Sequence, residues 1–150
     1  MSTSVLREST CPVARASAVV GDRWSLLIVR EAYDGARRFN DFQRRLGVAK
    51  NILSARLRAL VDDGVLETVP AEDGSSYREY RLTPAGLDLF PVIVALRQWG
   101  EAHAFADGES RSVLVDDRDG RPVAPLRVSA ADGRVVDAAT TVVRKPSSGA

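Results

Sequence analysis

Cysteine, histidine and methionine each occur once in this 150-residue chain. The lone Cys11 excludes an intrachain disulfide and any cysteine-rich metal site. With His103 as the single histidine, a dedicated zinc site lacks its ligands, so no metal and no cofactor are expected. Long apolar runs are missing too: "LLIV" at Leu26–Val29 is far too short to span a bilayer. The opening "MSTSVLREST" carries no apolar signal region. The expectation is a cytoplasmic protein with no membrane partner. Glycine-rich phosphate loops, paired histidines and a nucleophile elbow are also absent. The adjacent acids Asp62–Asp63 and Asp116–Asp117 read as solvated charges, and the chain is not expected to be an enzyme.

An ordinary apolar share of 45% supports a real core, enough for one domain with an appendage. The net charge of +1 hides an asymmetry. Residues 1–60 carry 11 Arg/Lys against 5 Asp/Glu, residues 61–100 carry 3 against 7, and residues 101–150 carry 7 against 8. A basic first part suits an anionic partner, most commonly nucleic acid, although a scattered solvated surface has the same composition.

Periodicity predicts the elements. Pro12 suits the first position of a helix, where its missing N–H is no loss, and Val13, Ala16 and Val20 share a face before Gly21. A second helix is predicted over 23–33, with Trp24, Leu27, Ile28 and Ala32 at helical spacing, and a third over 39–46 around Phe39, Phe42 and Leu46. Gly47 suits a turn that needs positive φ. A fourth helix over 50–63 places Leu53, Leu57, Leu60 and Val61 on one arc, opposite Asn51, Ala55, Arg58 and Asp62, with Ser54 at the edge. "VLETVP" and "YREYRLT" read as a hairpin with Asp73–Gly74 at its tip. Thr83 and Pro84 then begin a long helix over 84–105, which Pro91 should kink or interrupt. Beyond it, β-branched runs around two "DGR" turns suggest two or three small strands, and "RKPSSGA" a disordered tail.

Three helices, a turn, a fourth helix and a hairpin make a winged helix-turn-helix, an α+β fold. The domain boundary falls after residue 105, leaving 106–150 as a β-rich extension. If the leucine stripe docks the fourth helix on the core, its other face is free to enter a DNA major groove. Asn51 and Ser54 suit base edges, Arg58 guanine or phosphate, and Ala55 a thymine methyl. Lys50, Arg37 and Arg38 lie near helix N-termini that suit phosphate, and Arg78 lies near the hairpin tip. Polar residues opposite an apolar stripe are also what any surface helix shows. Two further classes therefore stay open: a winged-helix protein-interaction module without specific DNA binding, and an enzyme.

The segment "CPVARASAVVGDRWSLLIVREAYDGARRFNDFQRRLGVAKNILSARLRALVDDGVLE", followed by "YREYRLTPAG" and "ALRQWG", resembles the HxlR family of winged helix-turn-helix transcriptional regulators. The resemblance covers Cys11 to Gly100. It implies a homodimer on a double-stranded DNA operator with two-fold character, acting as a repressor released by a small-molecule or redox signal. It also implies a recognition helix spanning Leu53 to Leu60, and a dimer interface of the helix beginning at Pro12 and the long helix. Two departures stand out. Ala49 replaces the usual polar cap before the recognition helix. The extension carries "DRDG" and "AADG" where some relatives have cysteines that look zinc-binding, which again implies no metal. Cys11, in an N-cap-like position before Pro12, is the candidate redox sensor: helix N-termini favour the thiolate, and several relatives sense oxidants through a cysteine here. It is equally a common packing residue. Trp24, Tyr33, Phe90 and Trp99 could line a pocket for a small-molecule effector, although aromatics at helical spacing are more often core.

Overall fold

The computed structural model describes residues 2–147. The chain divides into two compact units, Met1–Phe90 and Pro91–Ala150. The first contains α1 (Thr3–Glu8), α2 (Pro12–Val20), α3 (Ser25–Tyr33), α4 (Phe39–Leu46), α5 (Lys50–Asp62), the strands β1 (Leu66–Pro70) and β2 (Arg78–Leu82), and the short α6 (Pro84–Leu87). Its last residue begins α7 (Phe90–His103).

The core of the first unit holds Ile28 and Ala32 of α3, Phe42 of α4, and Leu53, Leu57 and Leu60 of α5, all from the predicted apolar stripes, together with Val29 of α3 and Leu66 of β1, which the stripes did not include. Fully burying one leucine stabilises by about 1.5–3 kcal/mol. An exposed ion pair such as that of Arg56 with Asp22, 3.6 Å apart, contributes only about 0–1 kcal/mol. Three leucines therefore set the roll of α5, and the ion pair adds little to it.

Local chemistry fixes the helix ends. The predicted start at residue 23 moves to Ser25, because the Asp22 carboxylate accepts the backbone N–H groups of Trp24 (2.9 Å) and Ser25 (3.0 Å) and also the Ser25 hydroxyl. Burial pushes the Asp22 pKa up, but the Ser25 and Trp24 donors and nearby Arg56 outweigh it, and the net shift is down. At α4 the Asp41 carboxylate, one turn in, accepts the N–H groups of Arg38 (3.0 Å) and Arg37 (3.1 Å). Thr83 caps α6 as expected, its hydroxyl accepting from the Gly86 N–H at 3.2 Å. Gly86 is required there, since a Cβ would strike the Val65 carbonyl oxygen.

The structure adds to the sequence reading, refines it or corrects it at four places. Residues 3–8, passed over in the sequence, form α1. Its Leu6 is half-buried, and its Arg7 grips Asp63 through two hydrogen bonds of 2.8 and 2.9 Å. Of Val13, Ala16 and Val20, which were expected to share a face of the helix starting at Pro12, only Val20 is buried and the other two are exposed. The long helix is interrupted near Pro91 as expected: it breaks at Asp88–Leu89, ends at His103, and takes Pro91 as the second residue of α7, where no intrahelical N–H is needed. The extension forms isolated bridges, Val115 with Pro122 and Ser129 with Val135, instead of strands. Each bridge closes one "DGR" turn, with Gly120 at φ 69° and Gly133 at φ 89°.

In the second unit, side chains of α7 hold the extension. The Gln98 carboxamide donates to the Ala124 carbonyl (3.0 Å) and accepts from the Leu126 N–H (2.6 Å), as a strand neighbour would. Arg97 donates to the Ser112 hydroxyl at 2.9 Å. The expected disordered tail lies partly outside the described residues, at 148–150.

Candidate nucleic-acid interface

Gly47 ends α4 at φ 65°, a left-handed conformation that costs a side-chain-bearing residue energy. The chain then turns through buried Val48 to Ala49, which starts α5 without a side-chain cap. The turn and the leucine stripe together set which face of α5 meets solvent. Lys50, Asn51, Ser54, Ala55 and Arg58 are all exposed on it, as is Ile52, an apolar neighbour the helical arc did not single out. Among the described residues, the side chains of Lys50, Asn51, Ser54 and Arg58 have no hydrogen-bond or ion-pair partner.

The hairpin flanks this helix-turn-helix in sequence and is tied to it. Strands β1 and β2 pair antiparallel, from Leu66 opposite Leu82 to Pro70 opposite Arg78. The Tyr80 N–H donates to the Arg37 carbonyl at 2.7 Å. The Tyr80 ring meets Phe42 edge-on, centroids 6.1 Å apart. Arg38 reaches the tip: its guanidinium donates to Asp73 at 2.5 Å, lies 3.7 Å from Glu79 and sits 5.2 Å over the Tyr77 ring. The Asp73 pKa is pulled down to about 2, by the Ser75 N–H first, then the Ser75 hydroxyl and Arg38. The Arg37 side chain is exposed. Arg78 is exposed too, its guanidinium donating to the Thr68 hydroxyl at 3.1 Å.

The structure therefore brings Lys50, Asn51, Ser54, Ala55 and Arg58 onto one face, with Arg78 on the wing. The backbone N–H groups of Arg37 and Arg38 are occupied by Asp41. Arg45 also has a structural role: it lies 3.5 Å from the buried Glu31 and donates to the Asp34 carbonyl at 3.1 Å. Asp41, Asp73 and Tyr77 were missed in the sequence. The spacing of "RFND" carried the signal for Asp41, an acid three residues past a helix start. Asp73 was legible as a turn residue of the hairpin tip, but nothing local marked its pairing with Arg38 or the place of Tyr77 beside it.

Cys11 is exposed and its N–H donates to the Ser9 hydroxyl at 3.1 Å. Both nearby arginines are engaged elsewhere, Arg15 with the Ser9 carbonyl and Arg7 with Asp63. A cleft of about 360 Å³ lined by Val5, Leu6, Glu8, Ser9 and Ala14 opens beside this segment. Of the four aromatics, Tyr33 and Phe90 meet edge-on at 5.5 Å. The Tyr33 hydroxyl donates to the carbonyls of Gly86 (2.8 Å) and Leu87 (2.7 Å), which ties down the end of α6, and desolvation raises its pKa. Trp24 is half-buried, and Trp99, in the second unit, is exposed and stacks near His103. Among the described residues, no three His, Cys, Asp or Glu side chains form a group that could hold a metal ion. Among them, too, no helix is long and apolar enough to cross a membrane.

A glycine turn between two packed helices, a partner-free polar face on the second and a braced hairpin define a winged helix-turn-helix. Residues 19–107 match the model of the HxlR-like helix-turn-helix family, and the chain belongs to that family. The HTH-type transcriptional regulator Mb3122 of Mycobacterium bovis, itself described as uncharacterised, is 50% identical over 91 residues, 61% of this chain and 58% of that protein. The chain thus matches little more than half of that relative's length. The crystal structure of PA1607, a candidate transcription factor, is similar at a TM-score of 0.91 and 51% identity, covering 95% of this chain and 99% of that one. The redox regulator HypR in its reduced form is similar at a TM-score of 0.57 and 29% identity, over 63% of this chain and 94% of that one.

Proposed function

We propose that this protein is a homodimeric, sequence-specific regulator of transcription that binds a double-stranded DNA operator and represses by occupying it. The observation that carries this reading is the α5 face. Donors and acceptors at Asn51, Ser54 and Arg58 stand exposed and unpaired among the described residues, beside the small Ala55, on a helix whose opposite side is locked into the core. Asn51 and Ser54 read base edges, Ala55 meets a thymine methyl, and Arg58 reaches guanine or phosphate. Lys50 and Arg37 neutralise phosphates, and Arg78 does so from the wing.

Dimerisation is supported by apolar side chains left in solvent on the two elements the family resemblance assigns to it: Val13 of α2, 73% exposed, and Leu96 (50%) and Trp99 (64%) of α7. Such a protein acts by occupancy, without turnover or cofactor, in the compartment that holds its operator, the cytoplasm. The signal that releases it is read at Cys11, which is exposed at the start of α2; the similarity to a redox regulator supports this. Within the first unit, the aromatic residues Trp24, Tyr33 and Phe90 remain the effector-site alternative, with Tyr33 and Phe90 in edge-on ring contact.

The test is a gel-shift titration on DNA flanking the protein's own gene, over a range of salt. Preference over random DNA is expected, with affinity falling steeply as salt rises through counterion release. No preference at moderate salt would reject the reading in favour of a protein-interaction module.

A further inference from the structure

The sequence places Arg38 beside Arg37 as a phosphate contact, yet the two arginines have different surroundings. Arg38 begins α4 but spends its guanidinium on the wing: Asp73 at 2.5 Å, Glu79 at 3.7 Å, Ser75 at 3.5 Å and the face of Tyr77 at 5.2 Å. A planar fork that meets two carboxylates and stacks on a ring is work that arginine does and lysine cannot. The wing needs such a tie. A two-stranded hairpin is at best marginally stable alone, and this one carries two exposed acids at its tip, Glu72 and Asp73, that would repel a phosphate backbone. The backbone bond from Tyr80 to Arg37 and the Phe42–Tyr80 contact hold the middle of β2, and among the described residues the hydrogen bonds and ion pairs from the helices to the tip all come from Arg38.

We infer that Arg38 is a positioning residue of the wing. It braces the hairpin tip against α4 and cancels the tip's negative charge, so that Tyr77 and Arg78 can approach DNA, and it does not itself anchor a phosphate. The DNA half of this inference rests on the function proposed above; the bracing half does not. On this view Tyr77, 63% exposed, is presented to solvent because its other face is occupied by Arg38.

The experiment compares the full-length wild type with Arg38→Ala, Arg38→Lys, Asp73→Asn and the Arg38→Ala/Asp73→Asn double variant, without and with DNA. Asparagine can keep the oxygen that accepts from the Ser75 N–H, but puts an amide NH2 where the other oxygen accepts from Arg38, so the charge and the Arg38 hydrogen bond go together. Without DNA, amide exchange is followed at Ala71 and Gly74, whose N–H groups close the tip by bonding to the Tyr77 and Ala71 carbonyls. Each single variant, Arg38→Lys included, should exchange roughly two- to fivefold faster, the scale of an exposed ion pair. The double variant should be no faster than Arg38→Ala. Unchanged exchange in Arg38→Ala, or wild-type exchange in Arg38→Lys, would overturn the brace. Circular dichroism checks that each variant is folded, and Asp73→Asn tests the same contact from an exposed loop where misfolding is not expected. With DNA, any gain in operator affinity of Asp73→Asn over wild type should reflect only the lost repulsion of the tip and be shared by the Arg38→Ala/Asp73→Asn double variant. A gain that the double variant lacks would mean that a freed Arg38 seeks phosphate, and would overturn the inference. If the wild type prefers no DNA sequence, the proposed function fails, and the exchange arm still decides the brace.

Discussion

Asn51 and Cys11 carry the residue-scale consequences, because each is a single exposed group with one chemistry to offer. A bidentate asparagine–adenine pair discriminates by roughly 1–3 kcal/mol. Asn51→Ala should therefore relax base preference at one position per half-site while leaving overall binding in place. Selection from a random DNA pool reads this directly, and an unchanged preference would mean that α5 docks by another face. With a single cysteine per chain, oxidation of Cys11 leaves it as a sulfenic acid, a mixed disulfide with a small thiol, an electrophile adduct or a bridge to a second copy. A bridge needs Cα atoms within about 7 Å, which makes the mixed disulfide or adduct the less demanding product. Operator affinity of wild type should fall after mild oxidant or quinone, with reductant reversing the oxidant's effect, and Cys11→Ser should be indifferent to both. Equal behaviour of the two proteins would move the signal to a small-ligand site.

At the scale of elements, α4 depends on one carboxylate. Asp41 accepts from Arg38 and Arg37, and those N–H groups, in that order, draw its pKa below the usual range. A lowered pKa means that the stabilisation is fully present above the unfolded value of about 3.9 and is lost as pH falls through the folded one. Asp41→Ala should cost about 1 kcal/mol at neutral pH, the usual scale for losing a cap. Urea melts between pH 7 and pH 2.5 should show that deficit shrinking below pH about 4. A constant deficit would assign Asp41 to packing instead of charge. The same scale shows which elements the sequence could announce. α5 was legible to within a residue because its leucines repeat at helical spacing between two glycines. The extension was misread because β-branched runs and DG turns satisfy the strand pattern, but a ladder also needs a neighbouring strand. Gln98 of α7 fills that place at Ala124 and Leu126, and no local rule pairs a helix side chain with a distant extended segment.

At the scale of the whole molecule stands the proposed dimer. The exposed Val92, Leu96 and Trp99 repeat at i, i+4 and i+7 along α7, an apolar stripe of the kind a partner helix covers. Leu96→Asp should shift the protein from dimer to monomer in light scattering while preserving its helical signal. Operator affinity should fall by roughly 100-fold, since linked half-sites gain that much from effective concentration. A monomeric wild type, or an intact Leu96→Asp dimer, would place the interface elsewhere.

By itself the sequence determined the winged helix-turn-helix and which face of α5 stays exposed. Both follow from short-range physics: apolar periodicity decides which side of a helix is buried, glycines and Thr83–Pro84 decide where helices stop and start, and whatever lies opposite the leucines must face solvent. Tertiary structure decided what each charged group is for. Arg37 and Arg38 are neighbours of the same type, yet the exposed Arg37 has one long hydrogen bond, to the Ala32 carbonyl at 3.5 Å, and Arg38 is spent on a hairpin tip 35 residues further along the chain. Arg45, indistinguishable in sequence from Arg44, is held by the buried Glu31 of another helix. A charged side chain is long, and its partner is set by which backbone the fold brings within a few ångströms, a distance that no sequence spacing encodes.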